Sequence, residues 1–368
     1  MDLYSLGWDS VLDQLFEKYR EVGLSPGRIA LEHKQLYTIM CEHGELSGRV
    51  TGHLQHETSE TADYPTVGDW VAIEPRPAEG NATIHKVLPR RSAFSRKAVL
   101  AGGPKYGEGR TEEQILAANV DIIFLVTGLD NNFNLRRLER YLSVVWDGGA
   151  TPVVVLNKTD VCADIDGRLE ATRAIAAGVP VHAISAANDD RVDELREYLP
   201  TGKTGAFLGS SGVGKSTIVN CLVGEEILDT GGVRLADSRG RHTTTRRELI
   251  LLPSGGLVID TPGLREIQLW GDEKGLNRTF EDIEKLFEQC RFTDCNHNSE
   301  PGCAVKQALE DGTLDSNRYQ SYLKLQKELR NLNIRKNAKV RRSEARARDK
   351  KHQQYHKERK NLQKRGLM

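Results

Sequence analysis

Three short strings in this chain have the residue types and spacing for nucleotide chemistry. The first is Gly209, Ser210, Ser211, Gly212, Val213, Gly214, Lys215, Ser216 and Thr217. Its glycines let backbone N–H groups turn inward around anionic oxygens at the start of a helix. Lys215 is expected to reach the β- and γ-phosphates, and Ser216 to bind Mg²⁺. The second string is Asn157, Lys158, Thr159 and Asp160, followed after one more apolar run by Ser185 and Ala186. The Asp160 carboxylate is a double acceptor matched to guanine N1–H and the exocyclic amine. Adenine would leave it unpaired, at a penalty of several kcal/mol. Asn157 would fix the loop, the Lys158 stem would cover one ring face, and the Ala186 N–H would meet O6. The third string, Asp260 to Gly263, would hold Mg²⁺ through water and sense the γ-phosphate through the Gly263 N–H.

Taken alone, an Asn-Lys-x-Asp string is usually a polar turn. The set is informative because of its order. The base-reading residues precede the phosphate loop, the reverse of an ordinary GTPase, so the sequence reads as a circularly permuted GTP-binding domain. Leu264 stands where Ras-like GTPases carry the glutamine that positions the attacking water, so slow intrinsic hydrolysis is expected. Between the phosphate loop and Asp260 lie His242, Thr243, Thr244 and Thr245. Thr244 is the expected Mg²⁺ ligand and His242 a candidate to orient the water, the alternative being a solvated loop histidine.

A fourth group, Cys290, Cys295, His297 and Cys303, offers three thiolates and an imidazole, a complete tetrahedral zinc set with no open position. Its spacing is not the common Cys-x2-Cys, and unrelated buried thiols are the alternative on pattern alone.

These residues need elements to hold them. Residues 1–35 read as a leading segment, helical from Val11 to Arg20. Short apolar runs broken by Gly, Pro and Asp (Leu36–Met40, Gly48–Leu54, Asp69–Ile73, Thr83–Val87) predict a small closed β-barrel over 36–92. Pro89–Arg110 is basic and Gly-rich and reads as a linker or contact loop. Over 110–268 the rhythm becomes strand, helix, strand, which predicts an α/β parallel sheet with its ligand at the strands' C-terminal ends. The expected strands are Asp121–Val126, Pro152–Leu156, Val179–Ile184, Gly205–Leu208, Glu248–Leu252 and Leu257–Ile259. The expected helices are Leu135–Val145, Asp166–Ala177 and Lys215–Val223. Residues 269–329 read as mainly helical around the cysteines, and 330–368 as a basic tail.

At 368 residues the chain is long enough for two or three domains, and 38% hydrophobic content supplies real cores. The formal net charge of zero hides a segregation: residues 330–368 hold 15 Lys/Arg against 3 Asp/Glu, leaving the remainder correspondingly acidic. A basic tail on an acidic body suggests a polyanionic partner. The most apolar stretch, Ile122–Val126, is far shorter than the ~20 residues a membrane helix needs, so no membrane is expected. The N-terminus has no secretory signal pattern, and a cytoplasmic setting is the default.

The order of these motifs, the string Gly240 to Thr245 and the Cys-x4-Cys-x-His-x5-Cys spacing resemble the ribosome small-subunit-dependent GTPase A family (RsgA, also called YjeQ), over roughly residues 36–310. The resemblance implies an N-terminal OB-fold, a central permuted P-loop GTPase and a C-terminal zinc-binding domain. It also implies GTP hydrolysis stimulated by the small ribosomal subunit and a role in late maturation of that subunit, with its rRNA as partner. Further expectations are that the GTP form binds the subunit, that hydrolysis to GDP releases the protein, and that the protein is a monomer. The competing reading is an rRNA-binding assembly module whose nucleotide is mainly structural.

Overall fold

The computed structural model describes residues 1–33, 36–58, 61–100, 110–228, 247–260, 273–298 and 300–334. His242, Thr244, Gly263 and nearly all of the basic tail lie outside the described residues.

Asp9 caps α1 (Ser10–Arg20) by accepting from the Val11 and Leu12 amides, satisfying donors that the first helical turn leaves free. Leu12 and Phe16 on its inner face are buried, and Trp8 packs edge-on against both Phe16 and Trp70. A five-stranded barrel follows: β1 (Ser25–His33), β2 (Leu36–Cys41), β3 (Gly44–Val50), β4 (Trp70–Arg76) and β5 (Asn81–Val87). The order around it is β1-β2-β3-β5-β4, and β4 pairs back onto β1 from Ser25↔Ile73 to Arg28↔Trp70, which closes the sheet. Ile29, Tyr37, Ile39, Leu46, Val71, Ile73 and Ile84 fill the interior.

Three expectations need correction here. The barrel starts within the expected leading segment, because β1 supplies the strand that both β2 and β4 require. The expected strand Gly48–Leu54 stops at Val50, where Thr51 caps a short helix, α2 (Gly52–Glu57). The expected contact loop Pro89–Arg110 contains a strand: β6 (Ala93–Leu100) pairs antiparallel with β7 (Arg110–Ala118) from Ala93↔Ala118 to Leu100↔Arg110. Backbone pairing satisfies that strand, whose apolar residues Phe94, Val99 and Leu100 are separated by Arg96 and Lys97.

The second sheet comprises β8 (Ile122–Gly128), β9 (Thr151–Asn157), β10 (Val181–Ala183), β11 (Thr204–Leu208), β12 (Glu248–Leu251) and β13 (Leu257–Asp260), in the order β10-β9-β8-β11-β13-β12. All neighbours run parallel except β12, which lies antiparallel to β13. A tight turn between those two strands permits only the antiparallel arrangement. Helices α3 (Leu135–Asp147), α4 (Ile165–Ile175) and α5 (Lys215–Val223) cover the sheet. The Leu31↔Glu248 pair joins β12 to the barrel.

Arg28 locks the two sheets together. It is 1% exposed and donates to Thr204 Oγ1 at 2.8 Å, the Asn119 carbonyl at 3.2 Å, and the carbonyls of Gly68 and Leu6. Burial pulls its guanidinium down to about 10, still protonated at neutral pH.

The C-terminal helices are α6 (Lys274–Thr279), α7 (Glu281–Glu288), α8 (Ala304–Glu310) and α9, over residues 316–334. Leu276, Phe280, Ile283, Tyr322, Leu325 and Leu329 form their buried face. They dock on α3: the Gly275 amide donates to Asp147 Oδ1 at 2.7 Å, Arg318 Nη1 meets Glu139 Oε1 at 2.9 Å, and Arg140 meets Glu328 at 2.6 Å. Among the described residues, no helix is long and apolar enough to cross a membrane.

Candidate functional site

Parallel pairing brings the C-terminal ends of β8, β9, β10, β11 and β13 to one rim, where ligands of such sheets bind. Asn157 closes β9, Ser185 and Ala186 follow β10, Gly209 follows β11, and Asp260 closes β13. The structure therefore gathers the described parts of all three strings at this rim.

In the phosphate loop, a Cβ on Gly209 would stand 2.3 Å from the Val126 carbonyl, so the loop lies directly on the end of β8. Gly214 has φ +98°, and a Cβ there would stand 2.2 Å from Asn157 Nδ2. Only glycine meets both conditions. The next residue, Lys215, begins α5, and its ammonium donates to the carbonyls of Gly209 at 2.9 Å and Ser210 at 2.8 Å. These bonds hold the charge across the loop, beside the N–H groups of the helix start. Ile218, Val219 and Leu222 bury the helix, and Arg196 caps its far end by donating to the carbonyls of Cys221 and Leu222.

At the other end, Asn157 is 3% exposed and bonded in two directions. Its Nδ2 donates to the Val213 carbonyl at 2.8 Å, and its Oδ1 accepts from the Ala186 amide at 3.0 Å. Ser185 Oγ donates to Asp160 Oδ1 at 2.5 Å, and the Thr159 amide donates to the Ile184 carbonyl at 3.2 Å. Asp160 is thus oriented by the serine of the neighbouring string.

Lys158 occupies the left-handed region at φ 71°, and its Nζ meets Asp130 Oδ2 at 2.8 Å. Burial raises the Asp130 carboxyl, but its bonds to Lys158 and the Asn132 amide outweigh that and hold it below the usual carboxylate range. Asp130 is a site-rim residue that the sequence reading missed. The available signal was its place just past the end of an apolar parallel strand.

The four candidate metal ligands also come together. The donor atoms of Cys290, Cys295, His297 and Cys303 all lie within 4.8 Å of one another. His297 Nδ1 is 3.6 Å from both Cys290 Sγ and Cys303 Sγ, and its ring stacks on Phe287 with centroids 4.2 Å apart. A zinc tetrahedron with bonds of about 2.3 Å has edges of about 3.8 Å, so this set fits one ion. Cys303 Sγ also accepts the Lys306 amide at the start of α8, which orients it. Four protein donors leave no open coordination position.

Sequence and structure comparisons agree with this layout. The RsgA GTPase family model matches residues 87–270. An ABC transporter model matches residues 192–362, a span that includes the phosphate loop but neither base-reading string. The small ribosomal subunit biogenesis GTPase RsgA of Opitutus terrae is 50% identical, over 89% of this chain and 90% of that protein. The protein of the same name from Methanosarcina acetivorans is 41% identical, over 88% and 84%. Among solved structures, YjeQ from Thermotoga maritima superposes with a TM-score of 0.61 at 28% identity, covering 83% of this chain and 98% of that one. YloQ, described as a circularly permuted GTPase, gives 0.58 at 25% identity, covering 84% and 96%. With a half-identical relative matched along nearly its whole length, this chain belongs to the RsgA GTPase family.

Proposed function

We propose that this protein hydrolyses GTP to GDP and phosphate, binds the small ribosomal subunit, and acts in late maturation of that subunit. The observation that carries the reading is the double hydrogen bond of Asn157, which joins the base-reading and phosphate-binding loops into one pocket. The names of the relatives supply the ribosomal context.

In this reading Asp160, oriented by Ser185, accepts from guanine N1–H and the exocyclic amine, while the Ala186 N–H donates to O6. Asn157, Lys158 and Thr159 shape the base end. The amides of Gly209 to Gly214, with Ser216 and Thr217, surround the phosphates, and Lys215 neutralises charge on the β- and γ-oxygens. Ser216 and Thr244 would hold Mg²⁺, with Asp260 acting through water; the ion supplies charge neutralisation at the transferring phosphoryl group. Gly263 senses the γ-phosphate, and His242 orients the attacking water when the subunit is bound.

We assign the cysteine set to one structural zinc ion, which ties α7 to α8 within a domain over 269–329. The barrel and the basic tail of 330–368 provide the rRNA-facing surfaces, the tail through phosphate neutralisation. The protein works as a monomer in the cytoplasm. Because Asp260 to Gly263 leads directly into the cysteine domain, loss of the γ-phosphate shifts that domain, and hydrolysis releases the protein from the subunit.

The test is GTP turnover with purified small subunits, large subunits, or neither. Stimulation of at least about tenfold by small subunits alone is the expected result. Equal turnover in all three would return the protein to the class of assembly modules with a structural nucleotide.

A further inference from the structure

Lys158 is the one base-end residue whose charged group is held by an element outside the recognised strings. Its backbone is left-handed, with φ 71°, at the point where β9 ends. Its ammonium ends 2.8 Å from Asp130 Oδ2, beyond the end of β8, with the two side chains 30% and 27% exposed. An ion pair this open to solvent contributes little to fold stability. It does fix a four-carbon stem that otherwise samples many rotamers.

Asp130 is itself held in place. Its Oδ1 accepts from the Asn132 amide at 2.8 Å, and Arg168 Nη1 donates to its carbonyl at 3.4 Å. Arg168 in turn lies over the Phe133 ring, 5.2 Å from its centre. Gly128 leaves the room: a Cβ there would stand 2.8 Å from Asp130 Oδ1. The carboxylate is therefore set before any ligand arrives, which is what preorganisation of a binding wall requires.

We propose that Asp130 is a positioning residue for guanine, holding Lys158 so that its stem forms one wall of the base pocket in advance of nucleotide binding. This inference rests on the guanine-binding reading above. It concerns the base and not the phosphates, so GTP and GDP must respond alike.

The test uses the full chain and fluorescent GDP and GTP-analogue release by stopped flow, for wild type, Asp130→Ala, Lys158→Ala and the double variant. Asp130→Ala is expected to speed release of both nucleotides by about tenfold. The thermal midpoint without nucleotide should move by no more than about 2 °C. In the double variant, release should be no faster than in Lys158→Ala alone. Asp130→Asn, which keeps an acceptor for the Asn132 amide, should fall between wild type and Asp130→Ala and guards against a folding defect. Wild-type release rates in Asp130→Ala, or additive effects in the double variant, would overturn the inference. A wild-type protein with no preference for GTP over ATP would instead overturn the guanine reading on which it stands.

Discussion

Asn157 donates its side-chain amide to the Val213 carbonyl at 2.8 Å, although the two residues are 56 positions apart and stand in reversed motif order. Once β9, β8 and β11 lie parallel, their C-terminal ends share one rim whatever the order of the chain. Permutation therefore preserves the pocket and changes only what the chain connects it to.

That contact predicts the cost of filling the space at Gly214. An added methyl would stand 2.2 Å from Asn157 Nδ2, on a backbone with φ +98°. Gly214→Ala should reduce GTP affinity by at least about a hundredfold, through strain and loss of the Asn157 bond. Titration calorimetry reads this directly, and wild-type affinity would contradict it.

Asp160→Asn should move preference from guanine to xanthine nucleotide, because an amide donor suits the carbonyl that xanthine carries at C2. The Ser185 hydroxyl at 2.5 Å can still serve the amide oxygen, so the side chain stays oriented. Competition binding with GTP and XTP checks the exchange. Unchanged preference would remove Asp160 from the base contact.

The junction between α3 and the cysteine domain has a different weak point. Arg318, 7% exposed, spans Glu139 at 2.9 Å and Asp282 at 2.6 Å, and Glu139 is fully buried. Arg318→Ala leaves the buried Glu139 with Arg136 alone, 2.5 Å from its Oε1, and should cost about 1.5–3 kcal/mol. The pair Arg318→Met with Glu139→Leu should recover most of it. Urea unfolding of the full chain distinguishes these outcomes, and a mild single-variant effect would show that the junction does not depend on the buried charge.

Purified protein should carry one zinc ion per chain, bound by Cys290, Cys295, His297 and Cys303, whose donors already lie within 4.8 Å of one another. Chelator, or Cys303→Ser, should loosen α7 against α8 and lower the thermal midpoint, with GTP binding largely retained. Metal-free protein of unchanged stability would exclude a structural zinc role.

The strands that carry the motifs were legible because parallel strands buried on both faces read as continuous apolar runs, as in Val153 to Leu156 or Leu257 to Ile259. β1 was hidden for the opposite reason. Its first buried residues are Pro26, Gly27 and Arg28, and a Cβ on Gly27 would stand 2.5 Å from Ile39. Its buried run, residues 26–30, opens with residues that rarely signal a strand. The charge of Arg28 is supported by carbonyls of three distant segments, a set no local pattern displays. Asp130 escaped notice because its meaning lies in a lysine just past the end of another strand. The cysteine set was legible because ligand chemistry needs only residue type and spacing.

The central claim is a single pocket that selects guanine at one end and grips a magnesium-bound triphosphate at the other. Titration calorimetry of the full chain with GTP and ATP, each with Mg²⁺, tests it most directly. GTP should bind with at least about a thousandfold preference, the discrimination open to a site whose buried polar groups the wrong ligand leaves unpaired. Equal affinity for the two nucleotides, or no binding of either, would contradict the account.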